Sequence, residues 1–153
     1  IIEVPGATGF LDTNYLGKAK YGLAALREKD LLFLHVEATD EAGHMGAADK
    51  KVQALEDFDE KVVGTILHGL KEFPEWKILL MPDHATPVAI KTHSSDPVPF
   101  AVLSSEAELN VDAKSVGYNE PSAKATNVFV PEAWNLLEQV IRGDAQSLGQ
   151  SVA

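Results

Sequence analysis

Side chains of the kinds that bind divalent metal ions occur in three short motifs of this sequence. They are, in chain order, Asp40 and His44 in TDEAGHMG, Asp83 and His84 in MPDHATP, and His93 in KTHSSDP. Histidine imidazoles and carboxylates are the nitrogen and oxygen ligands that such ions take in proteins. One motif alone is weak evidence, because Asp and His are common in loops. Three such motifs in one short chain make a metal site the leading hypothesis.

The spacing of these residues decides which of them can share an ion. Asp40 and His44 are four residues apart, so that within one helical turn both side chains can reach the same cation. Asp83 and His84 are adjacent, and an extended strand would point them to opposite faces, whereas a tight turn lets them converge. His93 completes the candidate set. Paired divalent ions on such ligands suit in-line phosphoryl transfer, in which they stabilise the attacking and leaving oxygens.

Three apolar runs predict the strands that position these motifs. Residues 31–38 form a nearly continuous apolar run, which is typical of a strand buried on both faces of a parallel sheet. Further strands are predicted at 76–81 and at 97–103, the latter with prolines that suit an edge. The polar turn expected after the first strand is where a parallel sheet carries its ligands. The predicted fold is α/β, a mostly parallel sheet with helices on both faces.

Helices are predicted between these strands. The residues before Tyr15 supply a capping signal for a helix that reaches about residue 29. A long amphipathic helix is expected over 47–73, and a closing helix is expected to begin at Pro131 and to end near Gly143. The apolar stripe of the long helix predicts the following core positions: Val52, Leu55, Phe58, Val62, Ile66 and Leu70.

The remaining segments are expected to lack regular structure. Residues 104–128 are rich in Ser, Ala, Asn, Gly and Lys and are predicted to be mostly loop. Residues 144–153 are expected to be a frayed tail, which leaves 1–143 as the folded part.

The sequence starts at Ile1 with what resembles the end of a strand, followed by a Gly-rich turn. We therefore expect it to be a portion of a larger domain.

The composition excludes several classes of partner and site. The formal net charge of −10 argues against nucleic acid or an anionic membrane as a partner and is compatible with a site that holds cations. Cysteine is absent, which excludes disulfides and thiolate metal sites. No apolar run approaches the length of a transmembrane helix. The oligomeric state is not predicted.

Longer segments around the motifs resemble a known enzyme family. LHVEATDEAGHMG, MPDHATP and THSSDPVPF, with GATGFLDTNYLGKA upstream, are similar to cofactor-independent (2,3-bisphosphoglycerate-independent) phosphoglycerate mutases of the archaeal type. These are alkaline-phosphatase-like metalloenzymes, and the resemblance covers residues 3–103. It implies an incomplete alkaline-phosphatase-like fold and a cytoplasmic, glycolytic isomerase that interconverts 3- and 2-phosphoglycerate through a phosphoserine. It also implies two divalent ions, with manganese as the usual metal and zinc, magnesium or cobalt as alternatives.

The resemblance also assigns the ligands by position. It implies that Asp40, His44 and His93 bind one ion, and that Asp83 and His84 help to bind the other.

The chain departs from the family pattern in one respect. Family members carry a further metal-binding Asp and a nucleophilic Ser near their N-terminus, and neither segment is present here. Asp12 lies in a turn and does not match the absent ligand, and nothing around Ser94 or Ser95 resembles the nucleophile segment. No catalytic residue is therefore assigned within this chain, and the isolated chain is expected to be inactive.

Two other functions stay open at this point. One is a metal-dependent phosphatase or phosphotransferase of the same superfamily, some members of which are labelled homoserine kinases. The other is a non-catalytic remnant retained for binding, which the absent nucleophile and the irregular stretch at 104–128 favour.

Overall fold

The computed structural model describes residues 1–108 and 117–143, which divide into two units. The first unit comprises Ile1–Phe73 and Ala85–Ser95, and the second comprises Pro74–His84 and the described residues after Ser95. The predicted tail at 144–153 and part of the predicted loop at 104–128 lie outside the described residues. Within the described part of the chain, no helix has the length and apolar character needed to cross a membrane.

The first helix of the first unit begins where the capping signal predicts. Helix α1 spans Tyr15–Leu26, and the Asn14 side chain accepts a hydrogen bond of 2.8 Å from the backbone N–H of Gly17. This bond satisfies one of the N–H groups that a helix start leaves without an intrahelical partner. Ala19 is fully buried on the inner face of α1.

The polar turn predicted after residue 38 is instead a short helix. Helix α2 spans Ala38–Met45, and its small residues Ala38 and Ala42 are fully buried. It ends at Gly46, whose φ of 69° is the left-handed conformation that glycine adopts at helix C-termini without strain. The prediction failed because TDEAGHMG contains glycines and polar residues typical of turns, while burial of its alanines favours a helix.

The long helix predicted over 47–73 is present in three pieces. Helix α3 spans Ala48–Phe58, a π-helical turn covers Asp59–Val63, and α4 spans Gly64–Leu70. The N–H of Gly64 donates to the carbonyl of Asp59, the i→i+5 bond that defines the π turn. α1 packs against both the π turn and α4, and α2 packs against α3.

The π turn explains which predicted core positions are buried. Val62, Ile66 and Leu70 are buried, whereas Val52 and Leu55 are about half exposed, at 53% and 50%. The inner row runs at four-residue intervals: Ala54, Phe58, Val62, Ile66 and Leu70. Four residues advance about 40° beyond one α-helical turn, so such a row drifts around the helix. The extra residue of the π turn offsets part of that drift, and the buried Val62, Ile66 and Leu70 belong to the π turn and α4, the two pieces that pack against α1.

The strand predicted at 31–38 does not form among the described residues. Residues 31–37 are in neither a strand nor a helix, and Ala38 already belongs to α2. Leu31 and Phe33 are 58% and 85% exposed. An apolar run becomes a buried parallel strand only when neighbouring strands complete its hydrogen bonds and cover both faces, and no described strand pairs with this run.

The second unit contains the one sheet of the described residues, and that sheet is antiparallel. Strand β1 spans Lys77–Leu80 and β2 spans Ala101–Ser104, which lie within the predicted runs at 76–81 and, apart from its last residue, at 97–103. Lys77 pairs with Ser104 and Leu80 with Ala101. The prediction of a mostly parallel sheet assumed that all three apolar runs belong to one sheet. The described chain shows instead helices with a small two-stranded antiparallel sheet.

Short helices complete the second unit. Helix α5 covers Ser105–Glu108 and α6 covers Glu120–Ala125, both within the stretch that was predicted to be mostly loop. A 3-10 turn at Ala133–Asn135 leads into α7 at Leu136–Arg142, so the predicted closing helix is present but begins later than the predicted start at Pro131. α7 ends at Gly143, as predicted, with a φ of 88°. The ammonium of Lys77 donates to the Val140 carbonyl over 3.0 Å, which satisfies a helix-terminal acceptor.

The buried hydroxyl of Tyr15 gives a prediction for stability and pH. Tyr15 is 4% exposed, and its hydroxyl has no hydrogen-bond partner among the described residues. We expect Tyr15→Phe to leave the free energy of unfolding near neutral pH unchanged or to raise it by about 1 kcal/mol, because the desolvated hydroxyl is removed. Tyr21→Phe, on the exposed side of the same helix, is the matched control and should have no effect.

The free energies of unfolding of the wild type and of Tyr15→Phe should diverge at alkaline pH. Burial, followed by the charges of Asp57 and Asp12, raises the pKa of Tyr15 above its ordinary value. Because folding raises this pKa, ionisation of the phenol favours the unfolded state. The stability present below about pH 10, the ordinary pKa of tyrosine, is therefore lost as the pH rises through the folded-state pKa. Urea unfolding of wild type and Tyr15→Phe should therefore show the wild type losing stability relative to the variant above about pH 10. A difference that does not change with pH would contradict this.

Candidate metal centre

Helix α2 places Asp40 and His44 on one side, as their four-residue spacing predicts. Asp40 lies in the first turn of α2 and His44 in the last. The Asp40 Oδ2 atom lies 3.3 Å from His44 Nε2. The carboxylate side chain is 23% exposed and the imidazole 36% exposed, so the pair is neither buried in the core nor fully solvated.

His93 joins this pair from a segment nearly fifty residues further along the chain. Ala85 and Ser94 form an isolated antiparallel bridge, in which the Ser94 N–H donates to the Ala85 carbonyl over 2.9 Å. This bridge places the neighbouring His93 beside α2. His93 Nε2 lies 3.4 Å from Asp40 Oδ1 and 3.1 Å from His44 Nε2. The two imidazole rings are 4.9 Å apart between centroids and are tilted by 51°.

These separations fit atoms that share one metal ion. With ligand bonds of about 2.0–2.2 Å, neighbouring ligand atoms in tetrahedral or octahedral sites stand roughly 2.8–3.6 Å apart. The three observed separations, 3.3, 3.4 and 3.1 Å, all fall in this range. The donor set of one carboxylate and two imidazoles is also one that divalent transition metals accept. His93 is 52% exposed, which leaves one side open to solvent.

A hydrogen bond to the backbone fixes which nitrogen of His44 faces the group. His44 Nδ1 lies 3.0 Å from the carbonyl oxygen of Lys91. A carbonyl oxygen can only accept, so Nδ1 carries the proton of this bond. In the neutral ring the lone pair is then on Nε2, the atom that faces Asp40 and His93. Metal-binding histidines in proteins are oriented in this way by a partner on their other nitrogen.

Asp83 and His84 belong to the second unit, where a bend in the backbone brings their side chains together. Asp83 Oδ2 lies 3.5 Å from His84 Nε2, and Asp83 Oδ1 accepts a hydrogen bond of 3.1 Å from the His84 backbone N–H. The adjacent pair therefore adopts the convergent arrangement that an extended strand would prevent. Asp83 is 69% exposed and His84 is 32% exposed.

Two residues that support this group were not predicted from the sequence. The Thr86 hydroxyl donates to Asp40 Oδ1, and Thr86 is only 4% exposed. Lys91, whose carbonyl holds His44, has a φ of 54°, a left-handed conformation that is uncommon outside glycine. Thr86 lies within MPDHATP, but the residue types of this motif do not show that its hydroxyl is buried or that it contacts Asp40. A backbone acceptor such as the Lys91 carbonyl leaves no signal in the sequence.

Known proteins resemble most of this chain. Residues 1–123 match a family model described as the metalloenzyme superfamily. The chain is 46% identical, over 92% of its length, to a probable 2,3-bisphosphoglycerate-independent phosphoglycerate mutase of Geobacter sulfurreducens. It is 48% identical, over 94% of its length, to a 2,3-bisphosphoglycerate-independent phosphoglycerate mutase of Methanothrix thermoacetophila. The chain spans about a third of the length of these curated relatives, 35% and 36% respectively.

A solved structure also resembles this one. The PH0037 protein from Pyrococcus horikoshii matches with a TM-score of 0.60 and 38% sequence identity, over 65% of this chain and 29% of that protein. The likeness in fold and the match over residues 1–123 agree with one another, and the described helices and sheet are a part of a metalloenzyme fold. The chain therefore belongs to the metalloenzyme superfamily.

Proposed function

We propose that Asp40, His44 and His93 bind one divalent metal ion. The observation that carries this proposal is the mutual approach of three side chains from two separate segments: each imidazole nitrogen lies 3.3 or 3.4 Å from one oxygen of the Asp40 carboxylate, and the two nitrogens are 3.1 Å apart. The Lys91 carbonyl supports it further, because it keeps the lone pair of His44 on Nε2. We also propose that Asp83 and His84 contribute to a second ion, on the basis of the motif that contains them.

The ions are proposed to serve phosphoryl transfer, for which they would supply positive charge beside the phosphoryl oxygens. The chain's own residues have distinct tasks in such a site. The Asp40 carboxylate offsets part of the charge of the ion, and the two imidazoles are neutral ligands. The exposed side of His93 leaves room for a small phosphorylated molecule to approach. Manganese is the proposed metal, and the mixed oxygen and nitrogen donors are compatible with it and with zinc.

We further propose that the chain is part of a phosphoglycerate mutase that interconverts 3- and 2-phosphoglycerate through a phosphoserine. The names of the relatives from Geobacter sulfurreducens and Methanothrix thermoacetophila support this reaction. The serine of the intermediate is proposed to lie outside these 153 residues. This chain would then contribute metal ligands, and the nucleophile and substrate contacts would come from elsewhere.

Metal binding is tested by calorimetric titration of the 153-residue chain with Mn²⁺. We expect His44→Ala to weaken binding by at least about tenfold, because replacement even of a residue that only supports a ligand costs ten- to a hundredfold. His68→Ala is the matched control, since His68 is an exposed histidine on α4 of the same unit. It should bind Mn²⁺ as the wild type does. Equal affinities for His44→Ala and wild type would contradict the ligand assignment.

The proposed reaction is tested with a chimaera of the relative from Geobacter sulfurreducens. Its matching third is replaced by this chain, and conversion of 3- to 2-phosphoglycerate is measured with Mn²⁺ present. We expect turnover by the chimaera, at least about a hundredfold loss in its His44→Ala form, and little change in its His68→Ala form. The 153-residue chain alone should show no turnover, because the proposed nucleophile is absent.

Two results would count against the mutase proposal. One is turnover by the isolated chain, which would place the nucleophile within it. The other is a folded, Mn²⁺-binding chimaera that hydrolyses phosphate esters without interconverting the phosphoglycerates, which would favour another reaction of the superfamily.

A further inference from the structure

Thr86 is one of two buried polar residues in the described part of the chain, and its hydroxyl contacts the proposed metal ligand Asp40. An ionised carboxylate can only accept, so the Thr86 hydroxyl is the donor. Hydrogen bonds from a hydroxyl to a charged acceptor are stronger than those between neutral groups. The bond falls on Oδ1 of Asp40, the oxygen that also faces His93.

The backbone of Thr86 is held in place from three directions. The ammonium of Lys51, on α3, donates to the Thr86 carbonyl over 2.6 Å. The preceding residue, Ala85, is tied to Ser94 by the antiparallel bridge. Gly43 of α2 packs directly against Thr86, and a Cβ atom at that glycine would lie 2.5 Å from the Thr86 carbonyl oxygen and 2.9 Å from its Cγ2. No side chain fits there, so only glycine allows α2 to come this close.

From this arrangement we infer that Thr86 is a positioning residue for Asp40. Because its backbone is fixed, its hydroxyl approaches the Asp40 carboxylate from a fixed direction and favours one rotation of that carboxylate. That rotation sets Oδ1 towards His93 and Oδ2 towards His44 at the same time. Loss of the hydroxyl removes one of the contacts that orient this carboxylate towards the two imidazoles. This inference rests on the proposed role of Asp40 as a metal ligand.

A purely structural role for Thr86 predicts a different outcome. A buried threonine whose hydroxyl only satisfies a neighbour affects stability and leaves metal affinity unchanged. Thr13 provides that comparison, because it is the other buried polar residue, at 5% exposure, and its Oγ1 accepts a hydrogen bond of 3.0 Å from the Thr8 N–H. Thr13→Val and Thr86→Val remove the same hydroxyl from equally buried positions in the same unit.

The test is titration of the 153-residue chain and its variants with Mn²⁺ at a temperature where circular dichroism shows each to be folded. We expect Thr86→Val to bind Mn²⁺ about ten- to a hundredfold more weakly than wild type, the usual effect of losing a partner that orients a ligand. Thr86→Ser, which keeps the hydroxyl, should restore the affinity to within about threefold of wild type. Thr13→Val should lower the unfolding midpoint without changing the affinity by more than about threefold.

Equal Mn²⁺ affinities for wild type and folded Thr86→Val, with His44→Ala still weakened, would overturn this inference and leave the proposed metal site standing. Should Thr86→Val fail to fold, the pair Thr86→Ser and Thr86→Ala replaces it. These two differ only in the hydroxyl, and equal affinities within the pair would overturn the inference. Absence of Mn²⁺ binding by the wild type would overturn the proposed metal site, and this inference with it.

Discussion

The central feature of the described structure around α2 is the close approach of two imidazoles, those of His44 and His93, to the carboxylate of Asp40. Two imidazole nitrogens and the two oxygens of one carboxylate lie within 3.4 Å of a neighbour in this group. The Lys91 carbonyl places a proton of His44 on Nδ1, and in the neutral ring this leaves the lone pair on Nε2. Lone pairs that converge repel one another unless a proton or a cation lies between them. A divalent ion at the centre would satisfy all three side chains at once.

Small residues make this crowding compatible with a packed fold. Gly43 lets α2 contact the backbone of Thr86, and Gly46 ends the helix in the left-handed conformation. Lys91 also adopts a left-handed φ, of 54°, although it is not glycine. Such conformations cost of order 1 kcal/mol or more and persist where surrounding contacts over-determine them. At Lys91 this conformation directs the backbone carbonyl towards His44, with which it forms a hydrogen bond of 3.0 Å.

The sequence indicated that Asp40 and His44 lie close together, but it did not indicate which secondary-structure element carries them. The spacing of Asp40 and His44 correctly predicted that both reach the same side, and this follows from helical geometry alone. That they lie on a helix was missed, because the burial of Ala38 and Ala42 is a tertiary effect. His93 was a candidate ligand by its residue type, but its grouping with Asp40 and His44 came only from the family resemblance, since no local pattern links residues nearly fifty positions apart. Thr86 and Lys91 act through one buried hydroxyl and one backbone carbonyl, which no pattern of residue types predicts.

The strands could be predicted only in part, because a strand forms only where another strand pairs with it. The run at 31–38 has the composition of a buried strand, yet a strand is defined by partners, and no described strand pairs with it. The runs at 76–81 and 97–103 do contain strands, and their antiparallel pairing could not be inferred from composition. The helix ends were predicted more accurately than the strands. The capping signal expected before Tyr15 is provided by Asn14, and Gly143 ends α7 as predicted, because capping depends on a few neighbouring residues.

The most direct test of the metal site is anomalous diffraction near the manganese absorption edge from crystals of the chain grown with Mn²⁺. We predict an anomalous peak about 2.0–2.4 Å from a carboxylate oxygen of Asp40, from Nε2 of His44 and from Nε2 of His93. His44 should keep its Nδ1 hydrogen bond to Lys91. Manganese bound elsewhere while these three side chains remain without metal, or coordination of His44 through Nδ1, would contradict it.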